Sequence, residues 1–322
     1  MTEEQTMLAA MAGDLFATLG HSATMAQDWQ AIKEVELPGL LRAEDAGGFG
    51  GNWEDAMLVF RLSGYHALAL PMAEAAIAAA LAPQRSGRGT IASGSHGTYA
   101  DGRFSGEITG LCHGEGADYV VAPCPQGGSM VIDLADAQLT HAANIADEPR
   151  SRATVEDVAV EKLDRDVFLL GALARVAQIA GALDAALAKS VDYANERKQF
   201  GRPLGKFQAV QQNLATFACE AAAANCAAMG VGQAMARGDA QYEIAAAKLR
   251  ANRAVGIGTA LAHQVHGGIG FTHEYTLHPI TRRLWAWRSE FGSDAYWGGL
   301  LGAQIIARGA DNFWADIAAM TD

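Results

Sequence analysis

The chain has 322 residues, half of them hydrophobic, and a formal net charge of −12. A chain of this length and apolar content can bury a large core and is long enough for two or three domains. The excess of carboxylates would repel a phosphate backbone, so composition argues against nucleic acid as a partner. Any anionic ligand must therefore be bound by a local group of cationic side chains.

The cysteine spacing and the N-terminal sequence indicate the cellular compartment in which the protein works. Cys112, Cys124, Cys219 and Cys226 show no CxxC spacing, which argues against a structural metal site. The first residues are acidic and polar rather than basic and then apolar, so they do not resemble an export signal. We expect a reduced, cytoplasmic protein without a membrane span or a metal ion, in which Cys219 and Cys226 are small core residues.

The apolar pattern in chain order predicts a mostly α fold with a small β domain in the middle. Residues 1–85 show helical spacing, interrupted by the loop "EDAGGFGGN". Residues 86–160 contain short β-branched or aromatic runs between Gly, Pro and Asp, which predicts a small antiparallel sheet domain. Residues 161–322 predict three long Ala-rich helices and a fourth from near Pro279 toward Ala319, packed as a four-helix bundle.

The stretch "YANERKQFGRPLGKFQ" ends the first bundle helix on a cationic cluster. Arg197 and Lys198 there complement the helix dipole, and the glycine and proline that follow stop the helix. A second interpretation is that the Arg197 guanidinium binds a diphosphate while Phe200 covers an apolar part of the same ligand.

The stretch "QVHGGIGFTHEY" follows two helices later and places Gln264 before Gly267 and Gly268. Glycines at a helix end let a ligand approach the backbone and leave N–H groups free to bind anionic oxygens. Alone this turn is weak evidence, but the two stretches together indicate a binding site.

Together the two stretches resemble the paired signatures of the acyl-CoA dehydrogenase family, in the same order and at a similar separation. The resemblance is specific over about residues 165 to 295 and extends to "LLRAEDAGGFGG". It implies the family fold, with an N-terminal helical domain, a middle β domain and a C-terminal four-helix bundle. It also implies that FAD of a neighbouring subunit contacts Arg197, Phe200, Gln264, Gly267 and Gly268.

The reaction that this resemblance implies is α,β-desaturation of an acyl-CoA thioester. A carboxylate removes the α-proton while a hydride leaves the β-carbon for the flavin. An ungapped count from Gln264 puts Phe291 on one family position of this base, with Glu290 one residue earlier. A count back from Arg197 puts Gly171 on the other family position. Glu290 is therefore the candidate base; a carboxylate on a partner chain, or a structural ion pair for Glu290, are the alternatives.

The middle domain departs from the family pattern. Family members carry a "TEPxxGSD"-like loop against the flavin ring and a Trp-x-Thr in the next strands. This chain passes from "RGTIASGSHGTYADG" into "RFSGEITGLCHGEG", with Gly110 and Cys112 where Trp and Thr are expected. The ring half of the flavin site is therefore reduced, with Cys112 as a predicted contact, while the diphosphate half is intact.

Three functions remain open. The chain is an FAD-dependent acyl-CoA dehydrogenase subunit, a non-catalytic FAD-binding partner of a longer homologous chain, or a flavin oxidase or monooxygenase on the same scaffold. We expect an acyl-CoA substrate, a homotetramer or a heterotetramer with the longer subunit, and electron-transfer flavoprotein or a similar acceptor. The short β domain is similar to subunits of heterotetrameric members that act on steroid side-chain thioesters, which favours lipid or steroid catabolism.

Overall fold

The structure, a computed structural model, describes residues 1–19, 25–238 and 240–321. Within these residues the chain begins with helices α1 (Glu3–Thr18), α2 (Met25–Glu34), α3 (Trp53–Tyr65) and α4 (Met72–Leu81). The strands that follow are β1 (Gly89–Ile91), β2 (Gly94–Ala100), β3 (Arg103–Cys112), β4 (Tyr119–Pro123), β5 (Ser129–Asp133), β6 (Gln138–Thr140), β7 (Arg150–Ala159) and β8 (Glu161–Leu163). The remaining elements are α5 (Val167–Glu196), the short strands β9 (Lys198–Gln199) and β10 (Arg202–Pro203), α6 (Gln208–Arg237), α7 (Gln241–His266), α8 (Leu277–Ser289), α9 (Asp294–Arg308) and α10 (Phe313–Thr321).

The glycine-rich loop before α3 forms where the sequence predicts it. Gly47 and Gly50 adopt φ values of 77° and 64°, a region that favours glycine. A Cβ on Gly48 would lie 2.2 Å from the carbonyl oxygen of Arg42, so the loop folds back tightly on the preceding turn. Asn52 then caps α3 by accepting hydrogen bonds from two backbone N–H groups of the first turn.

The β domain consists of two four-stranded sheets with strand orders β1-β4-β5-β8 and β2-β3-β7-β6. All their strand pairs are antiparallel, as predicted, except β1 with β4, which run parallel. Strand β8 extends the sheet beyond the predicted boundary at residue 160, because Leu163 pairs with Ser129 of β5. Only Ala92 and Ser93 separate β1 from β2, so no long loop stands between these strands.

The bundle contains the three long Ala-rich helices that the sequence predicts, α5, α6 and α7. The predicted fourth helix is instead divided into α8, α9 and α10. Phe291 and Gly292 take φ values of 51° and 98° between α8 and α9, and Gly309 takes 86° after α9. Left-handed backbone cannot continue a right-handed helix, so each of these positions ends one.

Helices α5 and α6 are, among the described residues, long and apolar enough to cross a membrane by length and hydropathy alone. The apolar 18-residue window of α5 is 83% buried inside the molecule, whereas that of α6 is 28% buried. Cys219 and Cys226 lie on the open face of α6 and are exposed, which corrects their prediction as core residues. Helix α6 therefore presents an apolar surface that the described chain does not cover.

Helices α3 and α5 approach closely through two glycines. A Cβ on Gly64 would lie 2.0 Å from the carbonyl oxygen of Gln178, and one on Gly181 would lie 1.9 Å from that of Arg61. Backbone meets backbone at these points, so neither helix can accommodate an added methyl group without moving away. This contact joins the N-terminal helices to the bundle.

The α3–α5 contact predicts opposite effects for two Gly→Ala substitutions. Gly181→Ala should lower the free energy of unfolding by about 1–3 kcal/mol, because the added methyl overpacks a backbone contact. Gly13→Ala in α1 is the matched control, since a Cβ there meets nothing within 4 Å, and it should stabilise by up to about 1 kcal/mol through helix propensity. Urea unfolding followed by circular dichroism measures both. Equal stability of Gly181→Ala and the parent would contradict the packing.

Candidate functional site

A cavity of about 480 Å³ opens between the β domain and the bundle. It brings together Cys112 from the end of β3 and Glu290 from the end of α8, as the predicted flavin-ring site requires. Aromatic side chains of Phe168, Trp285 and Phe291 form much of its wall.

Glu290 lies in a buried network of ion pairs rather than free in this cavity. Its carboxylate accepts hydrogen bonds from Arg150 Nε and from Arg175 Nε, each at 2.8 Å, and from Asn144 Nδ2 at 2.8 Å. Arg175 also pairs with Glu74 of α4 at 2.7 Å. The surface partner nearest in sequence, Arg288, pairs with Asp294 instead.

The network extends to a second acid. Glu148 accepts from Arg150 Nη2 at 3.0 Å and from Arg283 Nε at 2.9 Å. Three arginines thus balance three glutamates in a buried cluster, which comprises Glu74, Glu148, Arg150, Arg175, Arg283 and Glu290. We call this set the charge cluster.

The charge cluster argues against the prediction that Glu290 is the catalytic base. Burial acts to raise the pKa of Glu290, but the charges of Arg150 and Arg175 outweigh it and hold that pKa well below its usual range. A general base needs a pKa near the working pH and a free lone pair on the substrate side. A carboxylate occupied by two guanidinium groups has neither.

The two family positions of the base, Phe291 and Gly171, lie against each other. A Cβ on Gly171 would lie 2.3 Å from Cε1 of Phe291. The Phe291 ring is only 2% exposed and also contacts the ring of Phe168, with centroids 5.9 Å apart. One phenyl ring therefore fills the space at both positions, and neither can present a carboxylate.

Lys248 of α7 fixes the turn that carries Phe291. Its buried Nζ donates to Asn252 Oδ1 at 2.7 Å and to the carbonyl oxygens of Trp287 and Gly292 at 3.0 and 3.2 Å. Burial lowers the pKa of this ammonium to about 7. The lysine satisfies carbonyl groups that α8 leaves unpaired at its C-terminus, so the Phe291 ring is held in place.

Gly110 and Cys112 line the cavity beside β3. Gly110 has a φ of 64°, a region that favours glycine, and a Cβ there would lie 2.2 Å from Ser93 Oγ, so a larger side chain would require Ser93 to move. The Cys112 thiol is buried 3.5 Å from Arg175 Nη2, and burial raises its pKa to about 12. Cys112 lines the cavity but is engaged with the charge cluster.

The other predicted residues gather at the far end of the bundle. The ring of Tyr193, near the end of α5, stacks on that of His266 at the end of α7, with centroids 4.6 Å apart. This contact places Arg197, four residues after Tyr193, on the same side of the molecule as Gly267, which follows His266. The exposed residues there include Arg197, Phe200, Gln264, Gly267 and Gly268.

Phe200 stands at the tip of a two-residue hairpin between β9 and β10. Its φ is 53° and its side chain is 88% exposed. A left-handed conformation is unfavourable for a bulky residue, and an exposed phenyl ring gains nothing from burial. The Arg197 guanidinium beside this hairpin has no ion-pair partner in the part of the chain that the structure describes.

The two groups of predicted residues lie far apart along α5. Arg175, which holds Glu290, and Arg197 are 22 residues apart, or roughly 33 Å at the rise of an α-helix. The Glu290–Cys112 region and the Arg197–Gly267 region therefore do not form one compact site within a single chain.

Sequence reasoning missed most of the charge cluster. Arg175 could have been found, because it is the lone cation in the apolar run "VFLLGALARVAQIAGALDAALA", and a buried cation requires acidic partners. Glu74 carries the same signal in α4. Nothing in the local sequence distinguishes Arg150 and Glu148 from surface residues of a loop.

Residues 163–306 match the model of the acyl-CoA dehydrogenase C-terminal domain. The chain belongs to the acyl-CoA dehydrogenase family. The resemblance of the two motifs is thereby confirmed, and the protein is an oxidoreductase of the acyl-CoA dehydrogenase type.

Relatives within the acyl-CoA dehydrogenase family include two from Mycobacterium tuberculosis. Acyl-CoA dehydrogenase IpdE2 is 29% identical over 290 residues, which cover 85% of this chain and 83% of the relative. Acyl-CoA dehydrogenase FadE34 is 30% identical over 283 residues, or 81% of this chain, but this chain spans only 39% of that relative.

Solved structures of acyl-CoA dehydrogenases share the fold. The steroid acyl-CoA dehydrogenase Tcur3481–Tcur3483 superimposes with a TM-score of 0.85 at 22% identity, over 96% of this chain and 99% of that one. The ChsE4–ChsE5 complex from Mycobacterium tuberculosis gives 0.81 at 19% identity, over 94% and 97%. The mostly helical fold with a small β region and a C-terminal helical bundle is thus confirmed.

The charge cluster predicts that Glu290→Gln destabilises the protein. Removing one partner of a buried ion pair leaves Arg150 and Arg175 under-compensated, so we expect a loss of about 3–5 kcal/mol in the free energy of unfolding near pH 7. The folded-state pKa lies below the ordinary value of 4.5, so this contribution is fully present above that pH and is lost as the pH falls further. Urea unfolding of parent and variant at several pH values tests both points.

The matched control for Glu290→Gln is Asp294→Asn. Asp294 pairs with Arg288 at 2.7 Å, but both side chains are about a third exposed, so its loss should cost less than about 1 kcal/mol. Similar destabilisation in the two variants, or a Glu290→Gln effect that persists unchanged below the ordinary carboxyl pKa, would contradict the buried pairing.

Proposed function

We propose that this chain is a subunit of a heteromeric acyl-CoA dehydrogenase and supplies the diphosphate side of an FAD site, while a longer homologous chain supplies the flavin-ring side and the catalytic base. The observation that carries the proposal is the Phe291 ring against Gly171, which fills both family positions of the base. The charge cluster supports it, because Glu290 is held as an ion-pair partner. The heteromer desaturates an acyl-CoA thioester.

The region around Cys112 and the region around Arg197 differ in how well their residues fit FAD. Around Cys112 the chain lacks the loop that the family resemblance places against the flavin ring, since only two residues separate β1 from β2. At the far end the residues do fit a dinucleotide. Arg197 offers an unpaired guanidinium, which matches a diphosphate in geometry and charge.

Gly268 supports a ligand at the far end. Its φ is not in the left-handed region, and a Cβ would meet nothing within 4 Å, so the fold of this chain does not itself require glycine there. A dinucleotide that approaches the backbone at Gly267 and Gly268 would explain why these positions carry no side chain.

Two exposed surfaces support contact with another subunit. The hairpin presents Phe200 away from its own chain, and α6 exposes Met229, which is 67% accessible. Large apolar groups rimmed by polar ones are typical of protein interfaces. A partner that contacts the hairpin would bring its own cofactor to Arg197, Phe200 and Gln264.

The chemistry divides between the two chains. FAD, when bound, accepts the hydride that leaves the β-carbon of the thioester. This chain's Arg197 neutralises the diphosphate and Gln264 contributes a polar group beside it, which together position the cofactor. The α-proton is removed by a carboxylate of the partner, and electron-transfer flavoprotein or a similar acceptor takes the electrons. Similarity to a steroid acyl-CoA dehydrogenase supports a steroid side-chain thioester as the substrate.

Because two chains would share the FAD site, the proposal predicts how much FAD co-purifies with this chain alone and with its partner. Expressed alone, the chain should purify colourless or with substoichiometric FAD, because only two residues stand where the family carries the loop against the flavin ring. Co-expressed with a homologous chain that retains the "TEPxxGSD"-like loop and a carboxylate base, it should purify as a yellow complex. Absorbance near 450 nm against protein concentration measures the occupancy. A fully loaded yellow homo-oligomer of this chain alone would overturn the proposal.

The proposed role of Arg197 predicts that its removal weakens FAD binding in that complex. Arg197→Ala should weaken FAD retention tenfold or more, since a charge-assisted contact to a diphosphate contributes about 1.5–3 kcal/mol. Arg253→Ala, which removes another exposed arginine without an ion pair in the described chain, should leave retention unchanged. Flavin fluorescence after gel filtration measures both. Equal occupancy in Arg197→Ala and the parent would remove Arg197 from the site.

A further inference from the structure

His266 is a buried histidine to which the proposed chemistry assigns no role. It is the last residue of α7 and is only 4% exposed. Its Nδ1 lies 2.8 Å from the carbonyl oxygen of Ala262, and because a carbonyl oxygen only accepts, Nδ1 donates. Burial lowers the pKa of the imidazole. The side chain is therefore a neutral aromatic ring near pH 7, held by one hydrogen bond.

The His266 ring contacts two tyrosines from other parts of the chain. It stacks on Tyr193 of α5 with centroids 4.6 Å apart and an interplanar angle of 27°. Its centroid lies 5.2 Å from that of Tyr275, which precedes α8, and the two tyrosine rings meet edge to face at 6.2 Å. Aromatic rings at these separations attract each other. We call Tyr193, His266 and Tyr275 the aromatic cluster; it joins α5, α7 and the segment before α8.

Tyr193 connects the aromatic cluster to Arg197. Residues four apart on a helix lie on the same face, and the backbone N–H of Arg197 donates to the carbonyl oxygen of Tyr193 at 2.9 Å. The carbonyl oxygen of Arg197 accepts in turn from the backbone N–H of Leu204 at 2.9 Å, which closes the hairpin that presents Phe200. The backbone of Arg197 is therefore tied to α5 at Tyr193.

His266 connects the aromatic cluster to the glycine turn. Gly267 follows it directly, and the backbone N–H of Gly267 donates to the carbonyl oxygen of His263. A Cβ on Gly270 would lie 3.0 Å from Cβ of His266, so the turn folds back closely on the histidine. A shift of His266 would therefore move Gly267 and Gly268 relative to Arg197.

We propose that His266 is a positioning residue for the FAD diphosphate, which sets the separation between the Arg197 guanidinium and the backbone at Gly267 and Gly268 through its stack on Tyr193. This inference rests on the proposed FAD site. Groups from two helices bind one diphosphate only if their separation is fixed, since charge-assisted hydrogen bonds depend on distance and direction. Because His266 is buried, it acts through its neighbours rather than by touching the ligand.

Titration of FAD into the flavin-depleted complex of this chain with a longer homologous chain, followed by flavin fluorescence, tests the proposal. His266→Ala removes the stacked ring and the hydrogen bond, so it should weaken FAD binding about tenfold. His266→Phe keeps a ring against Tyr193 and should lose no more than about threefold.

The matched control is His66→Ala. His66 is a half-buried histidine whose ring also contacts aromatic rings, those of Phe16 and Tyr65. It follows α3 and lies outside the aromatic cluster, so its removal should leave the FAD affinity unchanged.

The Arg197→Ala background separates positioning from a general structural role. In that background His266→Ala should weaken FAD binding by less than about twofold further, because the contact that it positions is already lost. The same fold-loss in both backgrounds would overturn the positioning role. Equal FAD affinity of the parent, His266→Ala and Tyr193→Leu would overturn it too. Tyr193 is half-buried, so Tyr193→Leu, which should weaken binding as His266→Ala does, still decides the question if His266→Ala fails to fold.

Failure of the positioning role and failure of the proposed FAD site give different results. If Arg197→Ala weakens FAD binding and His266→Ala does not, only the positioning role is overturned. Unchanged affinity in Arg197→Ala would overturn both.

Discussion

The guanidinium of Arg175 lies in the middle of the apolar 30-residue helix α5, and the rest of the molecule is arranged to neutralise it. A buried charge is tolerated only with close partners of opposite sign. Two such partners pair with Arg175, Glu74 from the N-terminal helices and Glu290 from the bundle. Glu290 in turn pairs with Arg150 from the β domain. The charge cluster thus fixes how the three parts meet.

The same constraint explains the altered chemistry at the cavity. Glu290 neutralises Arg175 and Arg150, so its carboxylate is not available for proton transfer. The turn after it, held by Lys248, places the Phe291 ring against Gly171. The region to which the family resemblance assigns a base is here lined by paired charges and stacked rings.

The far end of α5 has the opposite character. Arg197 and Phe200 are exposed, unpaired and held in a hairpin whose φ values are unfavourable for a phenylalanine. Strained and exposed residues of this kind are typical of contact and ligand sites. Helix α6 beside this region has an apolar face that the described chain leaves open. One long helix therefore connects a closed interior at its middle to an open, ligand-suited surface at its end.

The sequence by itself determined the order of the elements and the location of the two motifs, because helical periodicity, glycine turns and a cationic helix end are local features. It did not determine the division of the fourth helix, which depends on left-handed backbone at Phe291 and Gly292. Only the tertiary structure decided the ion-pair partners of Glu290. Arg150, 140 positions away in sequence, sets the pKa of that carboxylate, and no local pattern records which distant charges meet when the chain folds.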